Sequence, residues 1–260
     1  MHVDAVHPIL ERRGLTYSAA LIGPGSEGLG FDTECSTDHN RDPRPQLLVP
    51  DPGGLDDLLV HELPRGFPGY STYFADDEGD RTKRMVADDG AVRRAVEIAD
   101  VDTGFTARIG FLPGEAVSRD DWLTTPTQTL AELTGGAVFH DGLGRLDAVR
   151  ATLTWYPDDV WREVRAGRWW RIAQEEAFVG RRGEVGDEFG SAIVAARLVR
   201  DLMRLCLLVA RRYPPYSKWF GNAFARLHLV GTWPPPRGAS GEHTWQLPPK
   251  PLRRNTTTSA

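Results

Sequence analysis

The sequence contains only two cysteines, Cys35 and Cys206, among its 260 residues. Two isolated thiols cannot form a disulfide framework, and no Cys-x-x-Cys pair indicates a zinc site. The chain also lacks the 18 or so consecutive apolar residues of a membrane span, because charged side chains interrupt its most apolar segment, LVRDLMRLCLLVARR. Its N-terminus has no basic region followed by an apolar run, as a signal peptide would. These absences predict a soluble protein of the reducing cytoplasm that does not bind membranes.

An excess of basic residues is missing as well. The chain has 31 Lys and Arg against 36 Asp and Glu, for a net charge of −5. Proteins that bind long nucleic acids carry extended basic surfaces, so this class is not expected. A local basic patch can still bind a small polyanion. A small partner is therefore expected in place of a long nucleic acid, and the oligomeric state stays open.

The pattern of apolar residues changes near residue 117. Before it, TYSAALIG, RPQLLVP and RRAVEIADV are short apolar runs bounded by Pro, Gly or charge, which predict strands. After it, Ser118 and Asp121 resemble a helix capping box, and two long helical patterns begin after Pro157 and at Asp187. AVFHD, ahead of these two patterns, predicts a brief strand. We therefore expect an α+β fold, with a mixed-sheet domain at 1–117, an all-helical domain at 118–232 and a Pro-rich, disordered or surface-laid tail at 233–260.

The two long helical patterns are amphipathic. Trp161, Val164, Ile172 and Val179 fall within one arc of the first helix. A core in the helical domain is expected to bury most of the tryptophans, with one or two free to stack on a base. The stripe on the second helix consists of Ile193, Ala196, Val199, Met203, Cys206 and Val209. The tryptophans are Trp155, Trp161, Trp169, Trp170 and Trp219.

A glycine-rich turn, GPGSEGLG, follows the first predicted strand at residues 23–30. A Gly-Ser pair directly after a strand, here Gly25 and Ser26, places backbone N–H groups and a hydroxyl where phosphate oxygens can lie. The turn is not a Walker A loop, because no Gly-Lys-Ser/Thr follows it. It also misses the dinucleotide fingerprint, because no helical pattern follows its glycines. On its own, this turn fits an ordinary loop better than a phosphate site.

Oxygen-bearing side chains follow the turn in STDHN, residues 36–40. Asp38 and Asn40 have the i, i+2 spacing that points two side chains to one face of a strand. Two oxygen ligands so placed can hold Mg²⁺ between the protein and a triphosphate. A third carboxylate is expected from a neighbouring strand, where AVEIADV offers Glu97, with Asp100 and Asp102 close behind it.

A Gly-Ser pair, a gap, Asp-x-Asp and a later acid resemble the signature of the polymerase-β-like nucleotidyltransferase superfamily, which includes the kanamycin nucleotidyltransferases. Over about residues 15–230 the chain resembles more closely the bacterial family catalogued as domain of unknown function 4037. This resemblance implies a nucleotidyltransferase-like domain followed by a helical domain, and no settled substrate. It is carried by LIGPGSEGLGFDTECSTDH, WYPDDVW, RIAQEEAFVGR, GDEFGSAIVAARLVRDLMRLCLL and PPYSKWFGNAFARL.

Asn40 departs from this family, in which the stretch usually reads Ser-Thr-Asp-His-Asp. The side-chain carbonyl of Asn can still bind a metal, but one negative charge is lost. In a two-metal phosphoryl-transfer site the second carboxylate bridges both ions, so one metal is easier to hold here than two. Asp42 is an alternative ligand. Either the site works with one metal, or it has been kept for binding or for another reaction.

Further candidates lie in the second half of the chain. Arg181 and Lys218 occur in stretches that match the family, where they could bind a triphosphate or form surface ion pairs. His140 and Asp141 could form an acid–base pair or a structural turn.

These residues together predict a Mg²⁺-dependent nucleotidyltransferase. It would move a nucleoside monophosphate from an NTP, with ATP the expected donor, to a hydroxyl or amine of a small molecule, in secondary metabolism or antibiotic modification. The alternatives are a nucleotide- or partner-binding pseudoenzyme and a group-transfer enzyme of natural-product biosynthesis that does not use NTP. The predicted roles are catalysis for Asp38 and Glu97, metal binding for Asp38, Asn40 and Glu97, and nucleotide binding for Gly25, Ser26, Arg181 and Lys218.

Overall fold

The computed structural model describes residues 2–32, 45–64, 96–114 and 116–227, together with the backbone of four two-residue strands between 66 and 85. The described residues belong to one compact unit that ends at Leu227. The predicted tail and the segment that holds Asp38 and Asn40 lie outside the described residues. Predictions for those parts of the chain stay predictions.

Four strands form the main sheet, in the order β7–β2–β1–β8. The central strand β1 is antiparallel to both of its neighbours, whereas β7 is parallel to β2. Two short hairpins, β3–β4 and β5–β6, are separate from this sheet. The strands are β1 Ser18–Leu21, β2 Gln46–Leu48, β3 Gly66–Phe67, β4 Tyr70–Ser71, β5 Phe74–Ala75, β6 Arg84–Met85, β7 Glu97–Ala99 and β8 Ala137–Asp141.

Helices make up most of the remaining described residues. They are a π-helix at His2–Val6, α1 His7–Arg12, α2 Ser26–Leu29, α3 Leu55–Glu62, α4 Val101–Ile109, α5 Arg119–Thr124, α6 Thr127–Thr134, α7 Leu146–Leu153, α8 Asp158–Glu184, α9 Glu188–Val209 and α10 Ser217–Ala225. Within the part of the chain that the structure describes, no helix is both long enough and apolar enough to cross a membrane.

The sheet is covered on both faces. Ala19 and Leu47 point into a cluster with α1 and α3, while Ala20 and Leu48 point into a second cluster with α4, α6 and α7. Alternate residues of a strand point to opposite faces, so a strand buried on both faces needs apolar or small side chains throughout. The short apolar runs that predicted β1, β2 and β7 have this origin, and those strand predictions are confirmed.

Local capping signals predict two helix starts correctly. The hydroxyl of Ser118 accepts a hydrogen bond from the Asp121 N–H, and the Asp121 carboxylate accepts one from the Ser118 N–H. The Asp187 side chain accepts from the Gly190 N–H at the start of α9. Each carboxylate or hydroxyl satisfies an N–H group that the first turn of a helix leaves unpaired.

The expectation that residues 118–232 are all-helical needs a correction at β8. This strand pairs antiparallel with β1 and so belongs to the main sheet. Without β8, the N–H and C=O groups along one side of β1 would lack strand partners. The helical C-terminal part thus begins after Asp141. The domain boundary expected near residue 117 stays a prediction.

Helices α8 and α9 form an antiparallel hairpin that leaves several large apolar side chains exposed. Trp169 and Trp170 are 58% and 68% exposed, and Val199 in the apolar stripe of α9 is 55% exposed. The face of α9 that carries the buried Val194 and Asp201 is a different one. Trp169 and Trp170 are therefore the two of the five tryptophans that the core leaves exposed. By contrast, Trp219 is buried, and Trp155 and Trp161 pack against the core.

Candidate functional site

One edge of the sheet brings the glycine turn close to Glu97. Ala20 of β1 is paired with Gln46 of β2, and Gln46 is paired with Glu97 of β7. The chain leaves β1 at this edge and enters the turn at Gly23, while β2 and β7 both begin here. The side-chain oxygen of Gln46 accepts a hydrogen bond from the Ile22 N–H at 2.9 Å, which ties the turn to β2.

The turn itself depends on two glycines in the left-handed region. Gly23 has φ 99° and Gly25 has φ 139°, which side chains other than glycine adopt only with strain. Gly25 is the N-cap of the four-residue helix α2, which the sequence did not predict. The Ser26 hydroxyl, at the first position of α2, donates to the Asp32 carboxylate. Ser26 is thus held in place by a partner six residues later.

Helix α6 and the residues that follow it form backbone hydrogen bonds with the turn. The Gly23 N–H donates to the Glu132 carbonyl at 2.9 Å, and the Gly136 N–H donates to the Gly28 carbonyl. Gly136 has φ 70°, and a Cβ atom there would overlap the Leu21 carbonyl oxygen. The residues that end and follow α6 therefore contact both the backbone of the turn and the end of β1. This contact fixes the position of the turn relative to the sheet.

Arg108 is a site residue that the sequence did not reveal. It lies in the last turn of α4, and its Nη2 donates to Glu97 Oε2 at 2.7 Å. Its guanidinium also lies directly against Gly23, in the space that a side chain at that position would occupy. A guanidinium presents several N–H groups in a plane that suits phosphate oxygens. The available signal was its position eleven residues after Glu97, on the helix that follows β7.

Glu97 keeps part of its carboxylate accessible beside this ion pair. Its side chain is 49% exposed, as expected for a residue that points away from the core. Asp38 and Asn40 belong to residues 33–44, which precede β2 and lie outside the described residues. Among the residues that are described, no group of three His, Cys, Asp or Glu side chains could hold a metal ion. Glu97 could therefore contribute one oxygen ligand but would need others to complete a site.

Helix α10, which carries Lys218, packs against the end of the glycine turn. Trp219 stacks on Phe31 with ring centroids 5.7 Å apart. Arg226 donates to the Gly30 carbonyl at 2.6 Å, and its guanidinium carbon lies 4.3 Å from the Phe31 ring centroid. Lys218 is exposed, with Nζ 5.7 Å from the Trp219 ring. The structure thus brings the helix of Lys218 to the turn.

Arg181 occupies a different position. It lies twenty residues after Trp161 along the continuous helix α8, which corresponds to about 30 Å. Its guanidinium carbon lies 5.9 Å from the ring of Phe178 on the same helix. No contact between described residues joins Arg181 to the glycine turn. The structure therefore does not bring Arg181 together with Gly25 and Ser26.

His140 and Asp141 lie at the opposite end of β1 from the glycine turn. Partial burial raises the pKa of Asp141, but the hydrogen bonds from the Ser18 hydroxyl and from the backbone N–H groups of Asp147 and Leu146 outweigh it, so the pKa is lowered. The ring of His140 packs on Tyr17 at 4.6 Å. Asp141 thus holds the start of α7 and the start of β1 together, which is a structural role.

A cavity of about 260 Å³ lies between the end of α2 and the segment that joins α9 to α10. We call it the arginine cavity, because Arg211, Arg212 and Arg226 line it. Leu29 and Phe31 contribute its wall on the side of the glycine turn. Among the residues that the structure describes, none that lines the cavity is acidic. Sequence patterns do not predict this cavity, because its arginines are charged residues at ordinary surface positions.

Comparison with known proteins gives one match. The model of the family described as Domain of unknown function (DUF4037) matches residues 122–220, from α5 to α10. No curated protein and no solved structure matches the chain. The matched part includes Arg181 and Lys218 but neither the glycine turn nor Glu97. Over residues 122–220, the chain is therefore similar to the family described as Domain of unknown function (DUF4037).

Proposed function

We propose that this protein is a Mg²⁺-dependent nucleotidyltransferase that transfers a nucleoside monophosphate from an NTP, with ATP the expected donor, to a hydroxyl or amine of a small molecule. The observation that carries the proposal is the row Ala20–Gln46–Glu97 across three strands. It puts the glycine turn and a carboxylate at one edge of the sheet. The segment with Asp38 and Asn40 precedes β2 in the sequence, and β2 is the strand between the glycine turn and Glu97. A phosphate cradle and metal ligands need this proximity.

Each residue would have a separate task. The backbone of the turn around Gly25 and the Ser26 hydroxyl would bind the β- and γ-phosphates, and Lys218 would add charge from α10. Arg108, which already lies against the turn, would bind phosphate oxygens as a fork. Because Arg181 lies near the C-terminal end of α8 and has no described contact with the turn, we assign it no role in binding the nucleotide.

In the reaction, the acceptor oxygen would attack the α-phosphorus while the bond to pyrophosphate breaks. Pyrophosphate leaves, and a carboxylate, Glu97 or a neighbour, takes the proton of the acceptor hydroxyl. Asp38, Asn40 and Glu97 would hold Mg²⁺, which supplies positive charge that offsets the charge on the phosphates.

The ion pair of Glu97 with Arg108 bears on whether Glu97 fits a metal. A guanidinium beside a carboxylate disfavours a cation there, yet only Glu97 Oε2 is used. When a triphosphate binds, its oxygens would compete for Arg108 and release Glu97 towards the metal. Glu97 therefore fits as a ligand that becomes available together with the nucleotide.

The same ion pair favours one alternative, a nucleotide-binding protein without turnover. Asn40 has no charge, and the charge of Glu97 is balanced by Arg108. Two of the three proposed metal positions would then supply little net negative charge, which suits nucleotide binding better than two-metal catalysis. The protein would bind an NTP and release no pyrophosphate.

A thermal-shift screen with ATP, GTP, CTP and UTP, each with and without Mg²⁺, tests the proposal. A ligand at 100 times its Kd adds about 2.7 kcal/mol of stability. We expect a Mg²⁺-dependent shift with one NTP that is lost in Asp38→Ala and in Glu97→Gln. The matched control is Glu62→Gln, because Glu62 also pairs with arginines but lies on α3. No shift with any NTP would refute the proposal.

Pyrophosphate release then separates the transferase from its alternative. Incubation with the NTP that binds and a mixture of small alcohols and amines should release pyrophosphate if the protein is a transferase. A wild type that binds but does not turn over supports the alternative. Activity that appears only in Asn40→Asp would identify Asn40 as the lesion.

A further inference from the structure

The charge of the arginine cavity is unusual for this chain. The protein as a whole has a net charge of −5, yet Arg211, Arg212 and Arg226 line the cavity, and no Asp or Glu in the described parts of the chain does. Like charges gathered around one space repel one another unless something of opposite sign lies between them. The cavity therefore favours an anion.

Two of the three guanidinium groups are held in fixed positions. Arg211 donates to Asp158 at 2.8 Å, and its guanidinium carbon lies 4.1 Å from the Trp161 ring centroid. Arg226 is held by the Gly30 carbonyl and by the face of Phe31. Each of these side chains uses one N–H in the described hydrogen bonds, and a guanidinium has five. Their remaining donors are therefore available in a pre-organised arrangement.

Arg212 differs from its two neighbours. Its backbone N–H donates to the Leu207 carbonyl at 2.9 Å. Its guanidinium has neither a hydrogen bond nor an ion pair to any residue that the structure describes. Arg212 directly follows Arg211, which has φ 53° and is the non-glycine residue with positive φ among the described residues. A left-handed residue directly after a helix is a common way for a helix to end, and here the N–H groups of Arg211 and Arg212 donate to the Leu208 and Leu207 carbonyls of α9.

The remaining walls show what else the ligand carries. Leu29, Phe31, Leu207 and Tyr213 give the cavity apolar and aromatic surface. The volume equals roughly that of nine water molecules, which suits a molecule of about ten non-hydrogen atoms. From this geometry we infer that the arginine cavity binds a small organic oxyanion, a phosphate monoester or a carboxylate, with an apolar or aromatic body.

The position of the cavity connects it to the glycine turn. Leu29 ends the helix that Ser26 begins, and Phe31 directly precedes Asp32, the hydrogen-bond partner of Ser26. If the proposed function holds, the oxyanion would belong to the acceptor molecule. The binding itself does not depend on that function, because neither Mg²⁺ nor Glu97 contributes to the cavity.

Isothermal titration of the full-length protein tests this inference, in a buffer without NTP and without Mg²⁺. The probes are phenyl phosphate, benzoate and the neutral benzyl alcohol, each titrated into the wild type, Arg212→Gln and Arg162→Gln. Arg162 is the matched control, an exposed arginine on α8 without a described partner and outside the cavity. Because Arg212 is also exposed, both variants should unfold at the same temperature as the wild type, which a thermal melt verifies.

We expect at least one of the two anions to bind the wild type and Arg162→Gln with equal affinity. The same anion should bind Arg212→Gln at least tenfold more weakly, and benzyl alcohol should bind none of the three proteins. The tighter anion then identifies the ligand as a phosphate ester or a carboxylate. Absence of binding, or equal binding to Arg212→Gln, would overturn the inference. If the anion binds but no NTP does in the thermal-shift screen, the cavity stands and the proposed function fails. If an NTP binds but neither anion does, the inference about the arginine cavity fails and the proposed function is unaffected.

Discussion

Arg150 is expected to hold the end of α6, and with it the glycine turn. This arginine of α7 is partly buried, and it donates to three carbonyl groups, those of Leu133, Thr134 and Gly135, at 3.1, 2.8 and 2.6 Å. Burial lowers its pKa, with nearby Asp147 acting in the opposite direction. The last carbonyls of a helix have no partner within the helix, so a cation there satisfies them and interacts favourably with the helix dipole.

The substitution Arg150→Met removes the guanidinium while it keeps much of the apolar stem. A hydrogen bond from a charged group contributes about 1.5–3 kcal/mol, and three bonds from one guanidinium are not additive. We therefore expect a loss of about 3 kcal/mol, which corresponds to a fall of about 6–12 °C in the melting temperature of a domain this size. Urea unfolding should show a lower midpoint with an unchanged slope.

A matched variant gives the comparison for Arg150. Arg145→Met removes an arginine with a single, half-exposed ion pair to Asp102. Exposed pairs contribute about 0–1 kcal/mol, so this variant should unfold nearly as the wild type does. If Arg150→Met lost less than about 1 kcal/mol, or no more than Arg145→Met, the three hydrogen bonds would not hold the end of α6 and the reasoning would be refuted.

Two further substitutions test the surroundings of the turn and of β1. Gly136→Ala should cost about 3 kcal/mol or more, because the added Cβ overlaps the Leu21 carbonyl oxygen, whereas Gly144→Ala, with a similar φ of 67° and open space around it, should cost about 1 kcal/mol. Equal losses in urea unfolding would contradict this difference. Asp141→Asn should be destabilising at neutral pH, since the folded-state pKa of Asp141 lies below its unfolded value. The difference in unfolding free energy between the wild type and Asp141→Asn should stay constant above about pH 5 and become smaller as the pH falls below about 4 and through the folded pKa. A free-energy difference that is unchanged at about pH 2–3 would contradict this.

The helix and strand positions were largely readable in the sequence. Ser118 with Asp121, Asp187 and Gly135 act on backbone groups within a few residues of themselves. The runs that became β1, β2 and β7 needed only their own composition to be recognised. The exposed stripe of α9 shows what local sequence patterns cannot predict. A 3.6-residue period identifies an apolar face, as at Ile193 and Val199, but contains no information on which neighbour, if any, covers it.

The sequence by itself therefore determined the α+β composition, the helix starts and the candidate status of Gly25, Ser26 and Glu97. Only the tertiary structure decided that β8 joins the sheet, that Arg108 pairs with Glu97 against Gly23, and that Arg181 has no contact with the turn among the described residues. It also gathered Arg211, Arg212 and Arg226 around one cavity next to Phe31. The physical reason is distance along the chain. Caps and strands follow from interactions among neighbouring residues, whereas a site is assembled from side chains whose proximity is set by the packing of helices onto the sheet.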